Sequence, residues 1–406
     1  MDITIYEASR QLPVAHSCQT LVCGGGIAGV AAAIAAARGG SDVILLEREF
    51  ALGGMATLGL ITIYLPLCDG AGTQISFGLA EELLKLSIKH GAEDSYPTAW
   101  LDGGSRENKI KNRYLTRFNP HFFALAVEEL LLNLGVRILY GTIAAGVAQN
   151  ADGTISHVLI ENKSGRGAIA VKNVIDATGD ADICAFADAP TALYGTGNGL
   201  ASWYYYLEQN DPELKLKMFG LADIVPDREY DKTTEYNSDK IQTIAGARFS
   251  GVDGAELSNA VITAHKSMYA DILKSGVVPV RTSAIPLVRM SRRLVGAITQ
   301  ELDTDRVRVE DSIGMTPDWR KRGPVFELSY KTLYTKKIPN LLAAGRCISV
   351  SDELWDVTRV IPPCAVTGQA AGTAAALLKD GGNFAKLGIA QLQTRLQLDG
   401  VVLHNG

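Results

Sequence analysis

Three glycines at fixed spacing constrain this chain more than any other feature. Gly24, Gly26 and Gly29 form a G-x-G-x-x-G pattern that follows a short apolar run at residues 20–23 and opens an Ala-rich segment at residues 27–38. The apolar run predicts a buried strand, and the Ala-rich segment predicts a helix that ends at a Gly-Gly pair. A glycine triplet between a strand and a helix predicts a tight turn where a ligand can approach the backbone.

The residues that follow narrow the role of this turn. A second apolar run at residues 42–46 predicts another buried strand, and Glu47 stands directly after it. In a dinucleotide-binding unit, Gly24 permits the turn, Gly26 admits a pyrophosphate, and Gly29 lets the helix pack on the strand. Free N–H groups at the helix start attract phosphate, and an acidic residue at position 47 accepts hydrogen bonds from ribose hydroxyls. A solvated strand end is the alternative for Glu47.

The next loop favours FAD over a nicotinamide dinucleotide. Glu47-Arg48 leads within a few residues to a second glycine-rich loop, Gly53-Gly54-Met55. A nicotinamide-binding domain normally proceeds straight to its next helix, whereas a second loop gives the ribityl and flavin end of FAD a place to thread. An ordinary connecting loop is the alternative. The sequence therefore predicts FAD as the cofactor.

Further apolar and alternating segments predict the rest of the sheet. Residues 136–140 predict a third parallel strand, and residues 174–177 predict a later return to the parallel sheet. Residues 144–149, 157–161 and 168–172 alternate in polarity, which predicts a small antiparallel meander. The predicted fold class is therefore α/β, with a Rossmann-like FAD-binding domain that contains a parallel sheet and a β-meander.

The middle of the chain has a different character. Residues 1–17 form an irregular leader, whereas residues 191–330 lose the strand–helix rhythm while their content of tyrosine and charge rises. This middle segment predicts a helix and two strands, at residues 260–274, 278–285 and 293–301. The first pattern resumes with a strand at 341–344 and a Gly/Ala-rich helix at 364–378. We therefore predict a FAD-binding domain formed by residues 1–190 and 331–406, with an inserted α+β substrate or cap domain at residues 191–330.

Four blocks of sequence carry a family resemblance. They are Val22–Gly29 with Glu47-Arg48 and Gly53–Thr57; Val174–Asp182; Arg289–Arg293; and Asn340–Cys347 with Arg359–Pro362 and Thr367–Gly372. In these blocks the chain resembles the FAD-dependent oxidoreductase family. These flavoproteins have two dinucleotide-binding domains and are related to the flavin subunits of fumarate reductase and heterodisulfide reductase. The resemblance covers residues 15–190 and 280–380.

The resemblance implies further contacts with the cofactor. It implies that Thr178, Gly179 and Asp180 form a loop over FAD, and that a helix start at residues 362–369 lies beside the pyrimidine edge of the flavin. Gly345-Arg346 resembles a second FAD contact, although many relatives in the wider superfamily carry Gly-Asp there. The predicted cofactor-binding residues are Gly24, Gly26, Ile27, Ala28, Gly29, Glu47, Arg48, Gly53, Gly54, Met55, Ala56, Thr57, Thr178, Gly179, Asp180, Gly345, Arg346, Arg359, Gly368 and Gln369.

No residue is identified as catalytic from the sequence, and three candidates remain. His265 lies in the variable middle segment and is a candidate base. Glu353 lies in the loop before the last Gly/Ala-rich helix, where a carboxylate acts either as a base or as ordinary loop solvation. Arg359 is a candidate contact for the cofactor or the substrate.

An arginine cluster, Arg281, Arg289, Arg292 and Arg293, has two interpretations. Guanidinium groups bind carboxylates in a bidentate manner, so the cluster predicts a clamp for a carboxylate-bearing substrate. The alternative is a solvated strand face. Two further hypotheses are that Tyr64 or Cys68 lines the pocket, with Cys68 as a covalent flavin tether, and that the run Tyr204-Tyr205-Tyr206 forms a pocket wall rather than core.

Charge and cysteine content exclude several classes of partner. The formal net charge is −5 and no basic stripe is present, which argues against nucleic acid. There is no secretory signal, and the longest apolar run is interrupted by glycines, so we expect a cytoplasmic protein that does not insert into a membrane. The six cysteines show neither C-x-x-C nor metal-ligand spacing, so no metal is predicted. A homo-oligomer is compatible with the sequence.

The leading functional prediction is an FAD-dependent dehydrogenase or reductase, with hydride transfer between flavin N5 and a small organic substrate. The alternatives are a flavin-dependent oxidase or monooxygenase that uses O₂, and a flavin-bearing subunit of an electron-transfer complex. No second dinucleotide fingerprint is present to suggest a docked NAD(P)H domain. The substrate, the electron acceptor and the base are not determined by the sequence.

Overall fold

Strands and helices alternate along the first part of the chain, and a second strand-rich region follows. The computed structural model describes residue 5 and residues 9–92, 95–219 and 248–405. Its strands are β1 (Val14–Cys23), β2 (Val43–Leu46), β3 (Ile63–Tyr64), β4 (Thr116–Arg117), β5 (Arg137–Leu139), β6 (Ile143–Gln149), β7 (Ile155–Asn162), β8 (Gly165–Asp176), β9 (Thr191–Leu193), β10 (Ser202–Glu208), β11 (Asp211–Phe219), β12 (Val278–Thr282), β13 (Arg292–Leu294), β14 (Ser312–Pro317), β15 (Val325–Ser329) and β16 (Leu341–Ala343). Its helices are α1 (Ile27–Arg38), α2 (Leu79–Ser87), α3 (Thr98–Leu101), α4 (Arg106–Lys111), α5 (Pro120–Asn133), α6 (Asp182–Phe186), α7 (Gly254–Ser275), α8 (Asp352–Thr358), α9 (Ile361–Leu377) and α10 (Ile389–Leu398).

The main sheet has the strand order β5-β2-β1-β8-β7-β6, and β16 also pairs with β8. Neighbours among β5, β2, β1, β8 and β16 are parallel, whereas β6–β7 and β7–β8 are antiparallel. The apolar β2 strand is buried along its whole length, as expected for a strand covered on both faces. This arrangement confirms the predicted Rossmann-like sheet with a β-meander.

One strand joins the two parts of this sheet, which differs from the prediction. The segments predicted separately at residues 168–172 and 174–177 form the single strand β8, which pairs with the meander at its start and with β1 further along. Asn173 does not break the strand, because its buried amide donates a hydrogen bond of 2.7 Å to the carbonyl of Leu378. The predicted irregular leader also ends early: β1 begins at Val14, directly after Pro13, and pairs there with Ala168.

Three other predicted elements have different bounds. The predicted strand at 293–301 continues β13 only to Leu294; beyond it, Gln300 forms an isolated parallel bridge with Val350, and Ala297 donates its amide to the carbonyl of Tyr334. Helix α7 begins six residues earlier than predicted, because the Asp253 carboxylate caps it by accepting from the Glu256 amide at 2.8 Å. Helix α9 also begins earlier, since prolines in a first helical turn lack only N–H groups that the helix does not use.

The largest hydrophobic core lies around α1 and α9, which cross in close contact. Most of α1 and nearly all of α9 are buried. A Cβ atom at Gly372 would overlap the carbonyl oxygen of Ala32 and lie 2.9 Å from Cβ of Ala35. A Cβ atom at Gly368 would overlap the backbone of Ala28 in the same way. Only glycine at these positions of α9 lets the two backbones approach this closely.

The middle region contains its own three-stranded sheet, with the order β11-β10-β12. Helix α7 covers this sheet, and Met268 of α7 packs on Tyr204 of β10. The β14–β15 hairpin is different, because Ile313 and Phe326 belong to the same core as α1 and α9. The domain boundaries at 190/191 and 330/331 remain a prediction, and residues 220–247 of the predicted cap lie outside the described residues. Among the helices that are described, none combines the length and the apolar character needed to cross a bilayer.

We expect Gly372→Ala to lower the free energy of unfolding by about 1–3 kcal/mol, because the added methyl group must separate α1 from α9. The measurement is urea unfolding of the flavin-free protein. Gly254→Ala at the start of α7 is the matched control, since its Cβ would meet no atom within 4 Å. Equal midpoints for Gly372→Ala and the control would contradict this account of the helix contact.

Candidate cofactor and substrate site

A cavity of about 300 Å³ lies at the carboxyl ends of the parallel strands. Its wall includes Gly24, Glu47, Ala177 and Ala344, the residues that directly follow β1, β2, β8 and β16. Ligands of open α/β sheets bind at this edge. The predicted cofactor residues that line the cavity are Gly24, Gly26, Ile27, Ala28, Glu47, Arg48, Gly53, Gly54, Met55, Ala56, Thr178, Gly179, Asp180, Arg346 and Arg359.

The glycine turn has the conformation that its sequence predicts. Gly24 has a φ of 105°, which L side chains rarely adopt, and a Cβ atom there would overlap the carbonyl of Ala177. Gly29 packs directly on the carbonyl of Gly24. A Cβ atom on Gly26 would meet no protein atom within 4 Å, and no side chain caps α1 at this N-cap residue. Open space in front of an uncapped helix start fits a pyrophosphate.

The second glycine loop lies against the first. The amide of Gly53 donates to the carbonyl of Gly25 at 2.8 Å, and Gly26 and Gly53 form an isolated parallel bridge. Gly53 and Gly54 have φ angles of 96° and 52°, a backbone conformation that glycine adopts more readily than residues with a side chain. The loop thereby extends the cavity from the pyrophosphate cradle towards Met55. This continuity fits the elongated shape of FAD.

Glu47 organises the first loop as well as lining the cavity. Its carboxylate accepts the amides of Gly25 and Glu49 at 2.8 and 2.9 Å. Burial raises the pKa of this carboxyl, and the two backbone donors oppose the shift. A carboxylate has about four acceptor positions. Its two backbone bonds therefore leave capacity for the predicted contact with ribose.

Acidic groups follow β8 at the same cavity wall. Asp176 accepts from the amide and hydroxyl of Thr178 at 3.1 and 2.7 Å and so shapes the loop that leads to Asp180. Asp182 pairs with Arg292 at 2.6 Å. Burial, together with the neighbouring Asp176 and Asp180, nevertheless raises the pKa of Asp182 to about 6.

Five predicted cofactor residues lie behind the wall and have structural roles in this geometry. Thr57 donates its hydroxyl to the carbonyl of Leu52 at 2.5 Å, and Gln369 accepts the amide of Leu79 at 2.8 Å. The amide of Gly345 donates to the Thr367 hydroxyl at 3.0 Å. The remaining members of this group are the helix-contact glycines Gly29 and Gly368. The five residues support the cavity but do not line it.

Two of the catalytic candidates lie away from the cavity. His265 on α7 and Glu353 on α8 are exposed, and neither lines the wall. Cys68 is buried and accepts the amide of Tyr114 at 3.1 Å, and Tyr64 donates its hydroxyl to the carbonyl of Ala80 at 2.6 Å. Neither residue lines the cavity, so the geometry gives no support to a tether at Cys68.

The tyrosine run belongs to the three-stranded sheet instead of the cavity wall. Tyr204 is fully buried and donates to Asp271 on α7 at 2.6 Å, and Tyr205 is bonded to Thr62. Trp203, the residue before the run, does line the cavity. The alternation of a strand separates Trp203 from Tyr204 and Tyr206, because neighbouring side chains point to opposite faces.

The arginine cluster divides into separate interactions. Arg281 bonds to His121, Arg292 pairs with Asp182, and Arg293 lies over the ring of Trp355 at 5.7 Å. Only Arg289 of the four lines the cavity. Of the arginines in the predicted carboxylate clamp, only Arg289 therefore remains a candidate. Arg359, from a distant part of the chain, lines the same cavity.

Arg289 and Arg359 stand at the edge of a buried network of charged groups. Arg359 pairs with Asp356 at 2.6 Å, Asp356 with Arg320 at 3.3 Å, and Arg320 with Asp318 at 2.7 Å. Burial, followed by the repulsion of Arg359, lowers the pKa of Arg289 to about 9. Arg289 therefore remains a cation at neutral pH.

Apolar side chains line the same cavity as these two arginines. They are Met55, Leu58, Ile61, Trp203, Leu257, Ile285, Pro286 and Trp319. Sequence reasoning did not find Trp203, Leu257 or Trp319. They come from β10, α7 and the loop between β14 and β15, and no local motif marks them.

We expect Gly26→Val to abolish most FAD binding while leaving the flavin-free fold intact. The added side chain enters space that no protein atom occupies. The free energy of unfolding should therefore stay within about 0.5 kcal/mol of wild type. Flavin content after purification and a titration with FAD give the measurement. Gly24→Ala is the contrasting variant, because its positive φ predicts a loss of stability. Normal flavin loading of Gly26→Val would refute this placement of the pyrophosphate.

We expect Asp182→Asn to stabilise the flavin-free protein at pH 8 but not at pH 4. A folded-state pKa of about 6, above the ordinary value of 3.8, means that ionisation of Asp182 disfavours the folded state as the pH rises through 6. Urea midpoints at the two pH values provide the measurement. Asp188→Asn should show the opposite sign, because Lys337 lowers the pKa of that exposed carboxyl. A destabilised Asp182→Asn variant at pH 8 would show that the ion pair with Arg292 outweighs burial.

Comparison with known proteins identifies the family. The chain matches the family of FAD dependent oxidoreductases over residues 19–259 and 295–396. No curated protein matches the chain. Similar solved structures include a geranylgeranyl bacteriochlorophyll reductase-like protein from Thermoplasma acidophilum, with 13% identity, a TM-score of 0.45, and coverage of 95% of this chain and 82% of that chain.

Two hydroxylating enzymes show similar values. A p-nitrophenol 4-monooxygenase from Pseudomonas putida DLL-E4 has 12% identity and a TM-score of 0.46, and the match covers 94% of this chain and 89% of that chain. An aromatic hydroxylase from angucycline biosynthesis also has 12% identity and a TM-score of 0.46, with 94% and 65% coverage. The family match spans most of the sequence, and the cavity has the glycine cradle that FAD requires. The chain belongs to the FAD dependent oxidoreductase family, and its cofactor is FAD.

Proposed function

We propose that this flavoprotein transfers a hydride between flavin N5 and a small carboxylate-bearing organic substrate. The observation that carries the proposal is that Arg289 and Arg359 line a cavity whose wall also includes many apolar side chains. Bound FAD supplies a two-electron acceptor and donor at its ring. The side chains of the protein have to bind the substrate, orient it and exclude water.

The two arginines favour an anion. Arg289 and Arg359 both line the cavity, and each presents a guanidinium group. Guanidinium binds carboxylate with two parallel hydrogen bonds, so both side chains would attract a substrate carboxylate placed near them.

The apolar wall favours a substrate with a hydrophobic body. Trp203, Trp319 and Ile285 line the same cavity as the two arginines, and the Arg359 guanidinium lies 5.8 Å from the centroid of the Trp319 ring. Their side chains exclude water, which strengthens the attraction between the arginines and a carboxylate. We therefore propose an unsaturated or oxidisable apolar acid as the substrate class.

No described residue in this part of the cavity is assigned as the base. Cys364 lines the wall, and burial raises the pKa of its thiol to about 12. It is therefore protonated at neutral pH and is a poor base. His265 and Glu353 are not assigned this role either, because both lie away from the cavity. Arg359 is assigned to substrate binding.

The first experiment is an anaerobic titration of the flavin-loaded protein with small carboxylic acids and their uncharged amides. We expect acids to bleach the oxidised flavin, and amides of the same shape to fail. Arg289→Met and Arg359→Met should each raise KM by about tenfold or more, the effect of losing a charged hydrogen bond. Arg137→Lys is the control, since this arginine pairs with Asp42 away from the cavity.

The same titration separates the competing functions. Bleaching by amides and acids alike would reject the carboxylate-bearing substrate class. Oxygen uptake with a hydroxylated product would favour the monooxygenase, and release of hydrogen peroxide would favour the oxidase. Reduction only by electron carriers would favour an electron-transfer subunit.

A further inference from the structure

The segment Val288–Ser291 carries Arg289 into the cavity without belonging to a helix or a strand. Asn198 holds one side of it. The amides of Arg289 and Met290 both donate to Oδ1 of Asn198 at 3.0 Å, and the Asn198 amide donates back to the carbonyl of Met290. The segment is nearly inaccessible to solvent, with Met290 and Ser291 each 1% exposed. Its position is therefore set by hydrogen bonds instead of by a regular element.

Arg346 holds the other side of the segment. Its guanidinium donates to the carbonyl of Val288, the residue before Arg289, and also pairs with Asp180 at 3.4 Å. Ser291 donates its hydroxyl to the same Asp180 oxygen at 2.5 Å. Arg346 and Asp180 thus hold both ends of the segment against the loop that follows β8.

The surroundings of Arg346 are adapted to this contact. The indole N–H of Trp355 donates to the carbonyl of Arg346 at 2.5 Å. A Cβ atom on Gly179 would overlap the Arg346 guanidinium, so only glycine at position 179 leaves room for this side chain. A carboxylate at position 346 has no hydrogen to donate to the carbonyl of Val288. The planar guanidinium has several donors, so it can bond to the carbonyl of Val288 and to Asp180 at the same time.

We infer that Arg346 is a positioning residue that fixes Arg289 in the cavity and links it to the loop at residues 178–180. The inference deepens the proposed function and rests on it, since it concerns the placement of the substrate-binding arginine. Small displacements of a binding group are costly, and a shift of about 1 Å reduces the rate by about a hundredfold in well-organised sites.

The alternative is that Arg346 serves only the cofactor, because it also lines the cavity. The two roles give different results in flavin-loaded protein. A residue that serves only FAD changes flavin affinity, and it leaves the segment and the binding of anions unchanged once flavin is present. A positioning residue changes both even at full flavin occupancy.

The test compares Arg346→Met and Arg346→Lys with wild type, all saturated with FAD. Hydrogen-exchange mass spectrometry follows the peptide that covers residues 288–292. We expect exchange at the amides of Arg289 and Met290 to rise by about tenfold or more in Arg346→Met, since loss of a hydrogen bond to a charged donor favours local opening. Arg346→Lys keeps the positive charge but lacks the planar guanidinium with its several donors, so we expect a smaller increase in amide exchange than in Arg346→Met. Arg137→Lys is the matched control and should exchange like wild type.

A second readout is binding of benzoate, followed by the change in flavin absorption. Arg346→Met should weaken it about tenfold without loss of flavin, because the position of Arg289 is no longer fixed. Unchanged exchange in both variants, with flavin affinity alone reduced, would overturn the inference. If Arg346→Met does not fold, Arg346→Lys and Ser291→Ala decide the same question. If wild type and Arg289→Met bind benzoate equally, the proposed substrate class fails, and the exchange result still decides whether Arg346 positions the segment.

Discussion

The close contact between α1 and α9 is the constraint on which the rest of this structure depends. Both helices are built largely of alanine and glycine, and at Gly368 and Gly372 there is no room for a Cβ atom. Their approach places the start of α1 and the start of α9 at the same cavity, with Ile27 and Ile361 in its wall. Two helix N-termini then face one site, and each favours negative charge. A pyrophosphate and an electron-rich reduced flavin are the groups that gain from this geometry.

Charge is distributed unevenly along the cavity. Glu47 and Asp182 lie at one side of the wall, where backbone amides bond to Glu47 and Arg292 pairs with Asp182. Arg289 and Arg359 lie among aromatic and aliphatic side chains. The first group holds the loops that follow β1, β2 and β8, and Arg346, which lines the same cavity, pairs with Asp180 of the last of these loops at 3.4 Å.

The sequence predicted the conformation of the glycine turn because its determinants are local. Gly24, Gly26 and Glu47 act through the turn and the strand end on which they lie, so spacing along the chain translates directly into geometry. The errors arose where distant segments decide the structure. Residues 165–176 form one strand because β7 and β1 pair with overlapping parts of it. The arginine cluster divided because its members meet different partners: Arg281 meets His121, Arg292 meets Asp182, and Arg293 meets the ring of Trp355.

By itself, the sequence determined the α/β fold class, the FAD cofactor and the glycine cradle, because each depends on residues less than about thirty positions apart in one βαβ unit. Only the tertiary structure decided which side chains beyond the glycine loops line the cavity. Arg289, Arg359 and Trp203 come from separate parts of the chain. The tertiary structure also shows that His265 and Glu353 do not line the cavity. The physical reason is that contacts between distant residues depend on how helices and strands pack, and packing is set by the shape of the whole core.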